Sequence, residues 1–415
     1  MNKEIQIVSK LRFPEFNEKW GFDELQNLSH RVMVGIASAA THAYRDSGVI
    51  LFRNQNIKDE GLDVSNILYI DEDYEKAHKN KRLKGGDLLT ARTGYPGTTS
   101  VVPSEYKGAQ SFTTLITRPK NKLINSFFLC YYINSEQGQA FFEATKIGGG
   151  QKNVNAGSLS VMPIPFPSLK EQQKIANCLS ALDSLITAET EKLVNLKDHK
   201  KGLLQQLFPA KGETKPQFRF LEFINDGDWE EATLGDVSYY ENGKAHEKEI
   251  SATGKYKVVN SKFISTEGRV VKFTDSANLK ANVGDILMVL SDIPNGKAIA
   301  KCFYVDKEDT YTVNQRICKI TPTDIDNKFL FYIQNRNSYF LAFDDGVKQT
   351  NLRKDTVLSF PFLKPKAPKE QQKIASCLSS ADDLIEAQKI KIKTLKKHKK
   401  GLMQKLFPNV NELAV

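Results

Sequence analysis

The sequence predicts an α+β protein built twice over: two similar globular domains joined by two long helices that pair as an antiparallel coiled coil, in a pseudo-twofold arrangement. Three observations predict it. Residues 170–209 return as 369–408 with 26 identities in 40 positions and no gap. Within both copies the apolar residues recur in alternating steps of four and three, the spacing of a heptad seam. At 415 residues the chain is also long enough to bury two or three cores.

The elements follow in chain order. Residues 1–165 form a first globular domain, 166–209 a central spacer helix, 210–218 a linker, 219–364 a second globular domain, and 365–415 a second spacer helix and tail. Weaker matches tie the two globular parts together. Arg12-Phe13-Pro14-Glu15-Phe16 and Trp20 correspond to Arg219-Phe220-Leu221-Glu222-Phe223 and Trp229. Gly86-Asp87-Leu88-Leu89 corresponds to Gly284-Asp285-Ile286-Leu287, and Pro163 to Pro361. Short β-like runs (Gly48–Phe52, Asp87–Ala91, Lys257–Val259, Asp285–Leu290, Tyr311–Val313) mix with one helix per domain, expected over Ser126–Glu143 and Asn327–Phe343. Ala210–Gln217 holds Lys, Gly and Pro and reads as a connection.

The helices carry the clearest pattern. Prolines punctuate their starts, and Pro209 and Pro408 mark their ends. The first seam runs through Ile175, Leu179, Leu182, Ile186, Leu193 and Leu196; the second through Ile374, Leu378, Ile385, Ile392 and Leu395. Polar residues interrupt both at matching places, Glu189 with Gln388 and Lys200 with Lys399. Such interruptions either fix register inside the seam or lie just off it in solvent. A helix of roughly 38 residues spans roughly 57 Å at 1.5 Å per residue, longer than one turn of B-DNA at about 34 Å. Antiparallel packing along the seam would bring the globular domains out at opposite ends.

Composition narrows the function. Against 49 Asp and Glu stand 59 Lys and Arg, a net charge of +10 that suits a polyanionic partner. Five scattered cysteines form no Cys-x-x-Cys pair, which argues against a disulfide framework or zinc site and for a reducing, cytoplasmic setting. No apolar run is long enough to span a bilayer or serve as a signal peptide. There is no GxxxxGK[ST] phosphate loop, GxSxG elbow, HExxH pair or Asn/Asp-Pro-Pro-aromatic motif for gripping a flipped base. These absences point away from an autonomous enzyme.

The doubled Glu-Gln-Gln-Lys-Ile-Ala helix starts, the two Arg-Phe-x-Glu-Phe openings, the Gly-Asp-Leu-Leu and Gly-Asp-Ile-Leu strands and the proline-rich segments before each helix cover nearly the whole chain. Together they resemble the DNA-specificity subunits of type I restriction-modification systems. The resemblance implies that each globular part is a target-recognition domain for one half of a split site in double-stranded DNA. It implies that the helices set the gap and dock two methyltransferase subunits, that motor-nuclease restriction subunits join them, and that this chain has no catalytic site, metal or cofactor of its own. S-adenosylmethionine, ATP and magnesium would sit on the partners. The turn before each helix departs from the family pattern, as Gly148-Gly149-Gly150-Gln151-Lys152 and Gly346-Val347-Lys348-Gln349-Thr350.

DNA contact needs loops rich in Arg, Lys, Asn, Gln, Ser and Gly, because Arg and Lys suit guanine edges and phosphates while Asn and Gln suit adenine. Three segments of the first domain qualify: Arg53, Asn54, Gln55 and Asn56; Arg92, Thr93 and Tyr95; and Gln151, Lys152 and Asn153. Their counterparts are Asn260 and Lys262; Ser291, Asn295 and Lys297; and Lys348, Gln349, Thr350, Asn351 and Arg353. Polar, glycine-rich loops can equally be plain turns. A lysine-rich run on the second helix, Lys389 to Lys400, is either a solvated face or a phosphate contact. A stand-alone DNA-binding regulator with a coiled-coil element is the alternative function; it would bind one duplex without a methyltransferase.

Overall fold

The computed structural model describes residues 9–144, 154–246, 248–293 and 296–408. The chain divides into two compact units, and the division does not follow the linear segments. One unit comprises Met1–Glu191 with Lys389–Val415, the other Lys192–Gln388. Each takes a stretch of both long helices, which run over Leu169–Leu207 and Pro368–Leu406, 39 residues apiece.

In the first unit a four-stranded antiparallel sheet orders Ser29–Val34, Leu115–Pro119, Leu88–Thr90 and Thr99–Val101. A second four-stranded sheet orders Gln110–Phe112, Val49–Arg53, Leu68–Ile70 and Tyr44–Arg45, its first pair parallel. The second unit repeats the plan. Ser238–Asn242, Ile317–Pro322, Ile286–Val289 and Cys302–Tyr304 form the antiparallel sheet. Tyr256–Val259 and Tyr311–Val313 form the parallel pair inside a five-stranded sheet. In each unit a two-stranded ribbon, Gly21–Glu24 with Pro163–Phe166 or Glu230–Thr233 with Pro361–Lys364, joins the start of the domain to the lead-in of its helix.

The expected domain helices are each broken in two. Ser126–Asn134 stops at Ser135, which is extended (φ −69°, ψ 164°), and a second helix begins at Glu136. The Ser135 hydroxyl donates to the Tyr132 carbonyl at 2.6 Å and accepts from the Gly138 N–H at 3.2 Å, so a side chain replaces the helical ladder there. A Cβ at Gly138 would meet the Tyr132 carbonyl oxygen at 2.3 Å. In the second unit, Asn327–Gln334 ends at an extended Asn335, followed by Arg336 at φ +58°.

The repeated motifs hold this scaffold together. Arg12 donates to both oxygens of Glu171 at 2.8 Å, and Arg219 does the same to Glu370. Glu171 and Glu370 are buried, 1% and 0% exposed, and each carboxylate raises the guanidinium pKa of its partner further by accepting these bonds. One turn on, Lys174 meets Glu15 at 3.2 Å and Lys373 meets Glu222 at 3.1 Å. Gln172 and Gln371 accept the backbone N–H of Asn125 and Asp326, the residues that cap the domain helices. The Glu-Gln-Gln-Lys segment is thus the other half of the Arg-Phe-x-Glu opening.

The Leu-Phe-Pro ends complete the cores. In the first unit Phe407 packs edge-on against Phe128 at 5.5 Å, and Trp20 lies 6.0 Å from Phe128. In the second, Phe208 stands 5.3 Å from Phe329, which lies 5.8 Å from Trp229.

Within each unit the two helix stretches run antiparallel. In the first, Asp183 pairs with Lys399 and Glu189 with Lys391, so numbers rise on one helix as they fall on the other. In the second, Lys200 pairs with Asp382 at 2.5 Å. Ile175, Leu179, Ile186, Ile374, Leu378 and Ile385 are buried, while Leu182, Leu193, Leu196, Ile392 and Leu395 are half-buried. The polar interruptions lie in the seam, not off it: Gln388 is 5% exposed, and the Glu189 and Lys399 side chains are each 12% exposed. Tyr131 donates to Asp183 and Tyr332 to Asp382, both at 2.8 Å, with Lys399 and Lys200 lying over the rings. Burial pushes both phenols well above their ordinary pKa, so each remains a donor.

Candidate nucleic-acid interface

The first unit draws its candidate loops together. Asn54 lies in a short 3₁₀ turn after the strand Val49–Arg53. Its amide donates to the Thr113 hydroxyl at 3.2 Å, and its side-chain oxygen accepts the Arg92 N–H at 2.7 Å. The Arg92 guanidinium Nε donates to the Val154 carbonyl at 3.1 Å. The 53–56 loop, the 92–98 loop and the chain just after residue 153 therefore converge. Gln151, Lys152 and Asn153 themselves lie outside the described residues. Gln55 and Tyr95 are exposed, Tyr95 to 83%, while Arg53, Arg92 and Thr93 are half-buried.

Asn56 is corrected from a surface group to a structural one. It is 1% exposed, donates to the carbonyls of Asp63 and Asn66, and accepts the Arg53 N–H. With its hydrogen bonds spent inside, it has nothing to offer a base edge.

In the second unit, two of three segments are joined. Ser291–Asp292 pairs antiparallel with Thr350–Asn351, and Gln349 donates from its amide to the Ser291 hydroxyl at 2.6 Å. Lys297, Lys348, Gln349, Asn351 and Arg353 are exposed. Ser291 and Thr350 are each only 6% exposed, and Thr350 donates to Asp344, so both serve as the loop's internal fastening. Asn295 lies outside the described residues. Asn260 caps the helix Ser261–Ser265 by accepting the Phe263 N–H at 2.9 Å, whereas Lys262 beside it is exposed.

Sequence reasoning missed one turn, which the fold brings to these loops in both units. Thr113 (φ +52°) is the partner of Asn54. Its counterpart, Asn314 to Arg316, holds exposed Arg316 at φ +68° with its carbonyl accepting the Leu290 N–H, one residue before Ser291. Left-handed φ at a non-glycine residue leaves no mark in composition.

Part of the lysine-rich run is paired within the chain. On the second helix Lys391, Lys396, Lys399 and Lys400 pair with Glu189, Glu60, Asp183 and Glu136 inside the first unit. The buried thiols of Cys130 and Cys318 are pushed up to about 12 by desolvation, which leaves them inert. Among the described residues no cluster of His, Cys, Asp and Glu could hold a metal, and no helix is long and apolar enough to cross a membrane.

A family model for the type I restriction modification DNA specificity domain matches twice, over residues 23–198 and 226–397. The chain is 24% identical to a putative type I restriction enzyme MjaX specificity subunit of Methanocaldococcus jannaschii, over 96% of this chain and 95% of that one. It is 27% identical to the MjaVIII specificity subunit of the same organism over 72% and 74%. Its fold is similar to that of the type I restriction-modification S subunit from M. genitalium, with a TM-score of 0.60 at 17% identity, covering 97% of this chain and 99% of that chain. A chain from a type I system solved to explain its complex assembly and conformational transition matches at TM-score 0.56 and 16% identity, over 94% and 97%. Two family domains, two four-stranded sheets built alike and two sets of polar loops on one repeated scaffold converge: this chain belongs to the type I restriction modification DNA specificity family, as a non-catalytic specificity subunit.

Proposed function

We propose that the loops gathered by Asn54 and Arg92 in the first unit read one half of a bipartite site in double-stranded DNA. The loops fastened by Ser291, Gln349 and Thr350 read the other half, and the paired helices set the gap. The observation that carries this is a division of labour. The residues that repeat between the halves are spent on clamps and cores, while the loops that differ hold Arg, Lys, Asn and Gln at the surface. Two methyltransferase subunits dock on the helices, motor-nuclease subunits join them in the cytoplasm, and S-adenosylmethionine, ATP and magnesium belong to those partners. Here the exposed residues Gln55, Lys262, Lys297, Lys348, Asn351 and Arg353 are the groups offered to bases and phosphates.

The test is co-expression with the methyltransferase encoded beside this chain, followed by a genome-wide map of N6-methyladenine. The expected result is one split motif, two specified halves about an unspecified gap. Exchanging residues 1–165 for those of a different specificity subunit should change one half alone. A chain that forms no complex with the methyltransferase would sink this function.

A further inference from the structure

The geometry points to Tyr95 and Ile293 as a pair of apolar probes, one per unit, that pack against the bases of the half-site each unit reads. The inference rests on the DNA-reading function proposed above and adds to it a contact type that polar loops do not supply.

Both residues sit at one place in the repeat. Counting from Gly86-Asp87 and Gly284-Asp285, Tyr95 and Ile293 are each the ninth residue on from their glycine, in otherwise unlike loops. Each precedes a proline, as Tyr95-Pro96-Gly97-Thr98 and Ile293-Pro294-Asn295-Gly296. The Tyr95 carbonyl accepts the Thr98 N–H at 3.2 Å, and the Ile293 carbonyl accepts the Gly296 N–H at 2.9 Å. In both loops the carbonyl of the apolar residue thus accepts the N–H of the residue three places on. Proline suits the second place of such a turn, and Gly or Asn the third; Gly97 has φ +96°.

Hydrogen bonds fasten the described residues around both. Around Tyr95, Ala91 and Thr98 share a backbone hydrogen bond at 2.8 Å, and Gly97 donates to the Ala91 carbonyl at 2.9 Å. A Cβ on Gly97 would meet the Phe142 ring at 2.5 Å. Beneath Ile293, the Asp292 carboxylate accepts the N–H groups of Ala298 at 2.6 Å and Ile299 at 3.2 Å. Yet the residues these turns present are left in water, Tyr95 83% exposed and Ile293 69%. Neither contributes to a core cluster. A large exposed apolar side chain beside hydrogen-bonded loop backbone, next to groups suited to base edges, is placed to bury itself on binding. Bases offer two apolar surfaces for this, their stacked faces and the thymine methyl.

Salt separates this contact from a phosphate contact. Neutralising a phosphate releases counterions and steepens the fall of affinity with salt, whereas burying an apolar group does not. The experiment measures affinity of the complex with its methyltransferase for a duplex carrying the mapped motif, across a salt series. Tyr95→Ala should weaken binding roughly ten- to a hundredfold with the salt slope unchanged, and Ile293→Ala about tenfold. Tyr95→Phe and Ile293→Leu should bind like the parent. Melting temperatures should not move, since neither side chain is buried. Methylome maps of the alanine variants should relax the first half-site for Tyr95→Ala and the second for Ile293→Ala. Parent-like affinity and motif in both alanine variants would overturn the inference. So would a loss in Tyr95→Phe equal to that in Tyr95→Ala, because the hydroxyl would then be the contact. If the parent complex itself methylates no bipartite motif, the failure belongs to the proposed function instead.

Discussion

The clamp at Arg12–Glu171 and its twin at Arg219–Glu370 are built alike, whereas the loops at Arg92 and Leu290 are fastened by different means. Both clamps have the same bidentate geometry, with donor–acceptor distances of 2.8 Å. At the loops the first unit uses the Asn54 side chain to bridge two segments, whereas the second uses a short strand pair and Gln349. The duplicated scaffold thus keeps its buried ion pairs and varies the fastening of its polar loops. Where a guanidinium and a carboxylate are buried together, both partners must stay, since losing one strands the other without water.

The largest expected effect comes from breaking a clamp. Glu370→Ala leaves Arg219, whose side chain is 7% exposed, unpaired, and also takes the acceptor from the Trp229 indole N–H. A loss of about 3–5 kcal/mol is expected. Glu171→Ala should cost less, because Arg12 is 18% exposed and can reach water. Urea melts of the two variants read the ranking, and the reverse order would break the proposed dependence on burial.

Next are the polar layers in the seam. Asp183→Ala strands Lys399 (12% exposed), and Asp382→Ala strands Lys200 (20% exposed). About 1–3 kcal/mol is expected for the first and less for the second, by the same denaturation assay. A stabilised variant would show these layers to be a cost carried for register.

Asn54→Ala tests the loop bridge. It removes the acceptor of the Arg92 N–H, so about 1–2 kcal/mol is expected, together with a relaxed first half-site and an unchanged second one in the methylation map. A change in both halves would contradict independent reading by the two units.

A smaller effect is pH-dependent and confined to the first unit. Hydrogen bonding by Arg82 holds the Glu75 carboxyl below the usual carboxylate range, and Gln110 adds to it. A depressed value in the folded state means the stabilisation is complete above the ordinary carboxylate pKa and is lost as pH falls through the folded one. Glu75→Gln should flatten the acid limb of a stability-against-pH curve. An unaltered limb would assign acid sensitivity elsewhere.

The long helices were legible because heptad spacing is a local pattern repeated along each 39-residue helix, and burial marks it at Ile175, Leu179 and Ile186. The five β-like runs named from the sequence coincide with strands, but others such as Leu115–Pro119 and Ile317–Pro322 went unnamed. Pairing was not legible, since the parallel match of Gln110–Phe112 with Val49–Arg53 depends on chain far apart. The domain helices were misjudged as continuous because Ser135 is an acceptable helix residue whose hydroxyl ends the helix only in context. In the candidate loops, composition picked out polar residues without separating surface groups from internally bonded ones. An asparagine that reads adenine and one that caps a helix or closes a turn are the same residue, and only burial separates Gln55 from Asn56. Asn260 carried a usable signal, standing directly before the helical stretch Ser261–Ser265.

The exchange of helix stretches between units has a consequence for synthesis. The core of the first unit contains Met403, Leu406 and Phe407, and Phe407 is 1% exposed against Phe128 and Tyr132. Those residues leave the ribosome after the whole second unit. At about 5–20 residues per second, the domain made first waits many seconds with an apolar socket open, and the domain made second can close before it. The order of translation is thereby inverted in the order of completion, and a ribosome that stalls near the end of the message leaves its damage at the beginning of the protein.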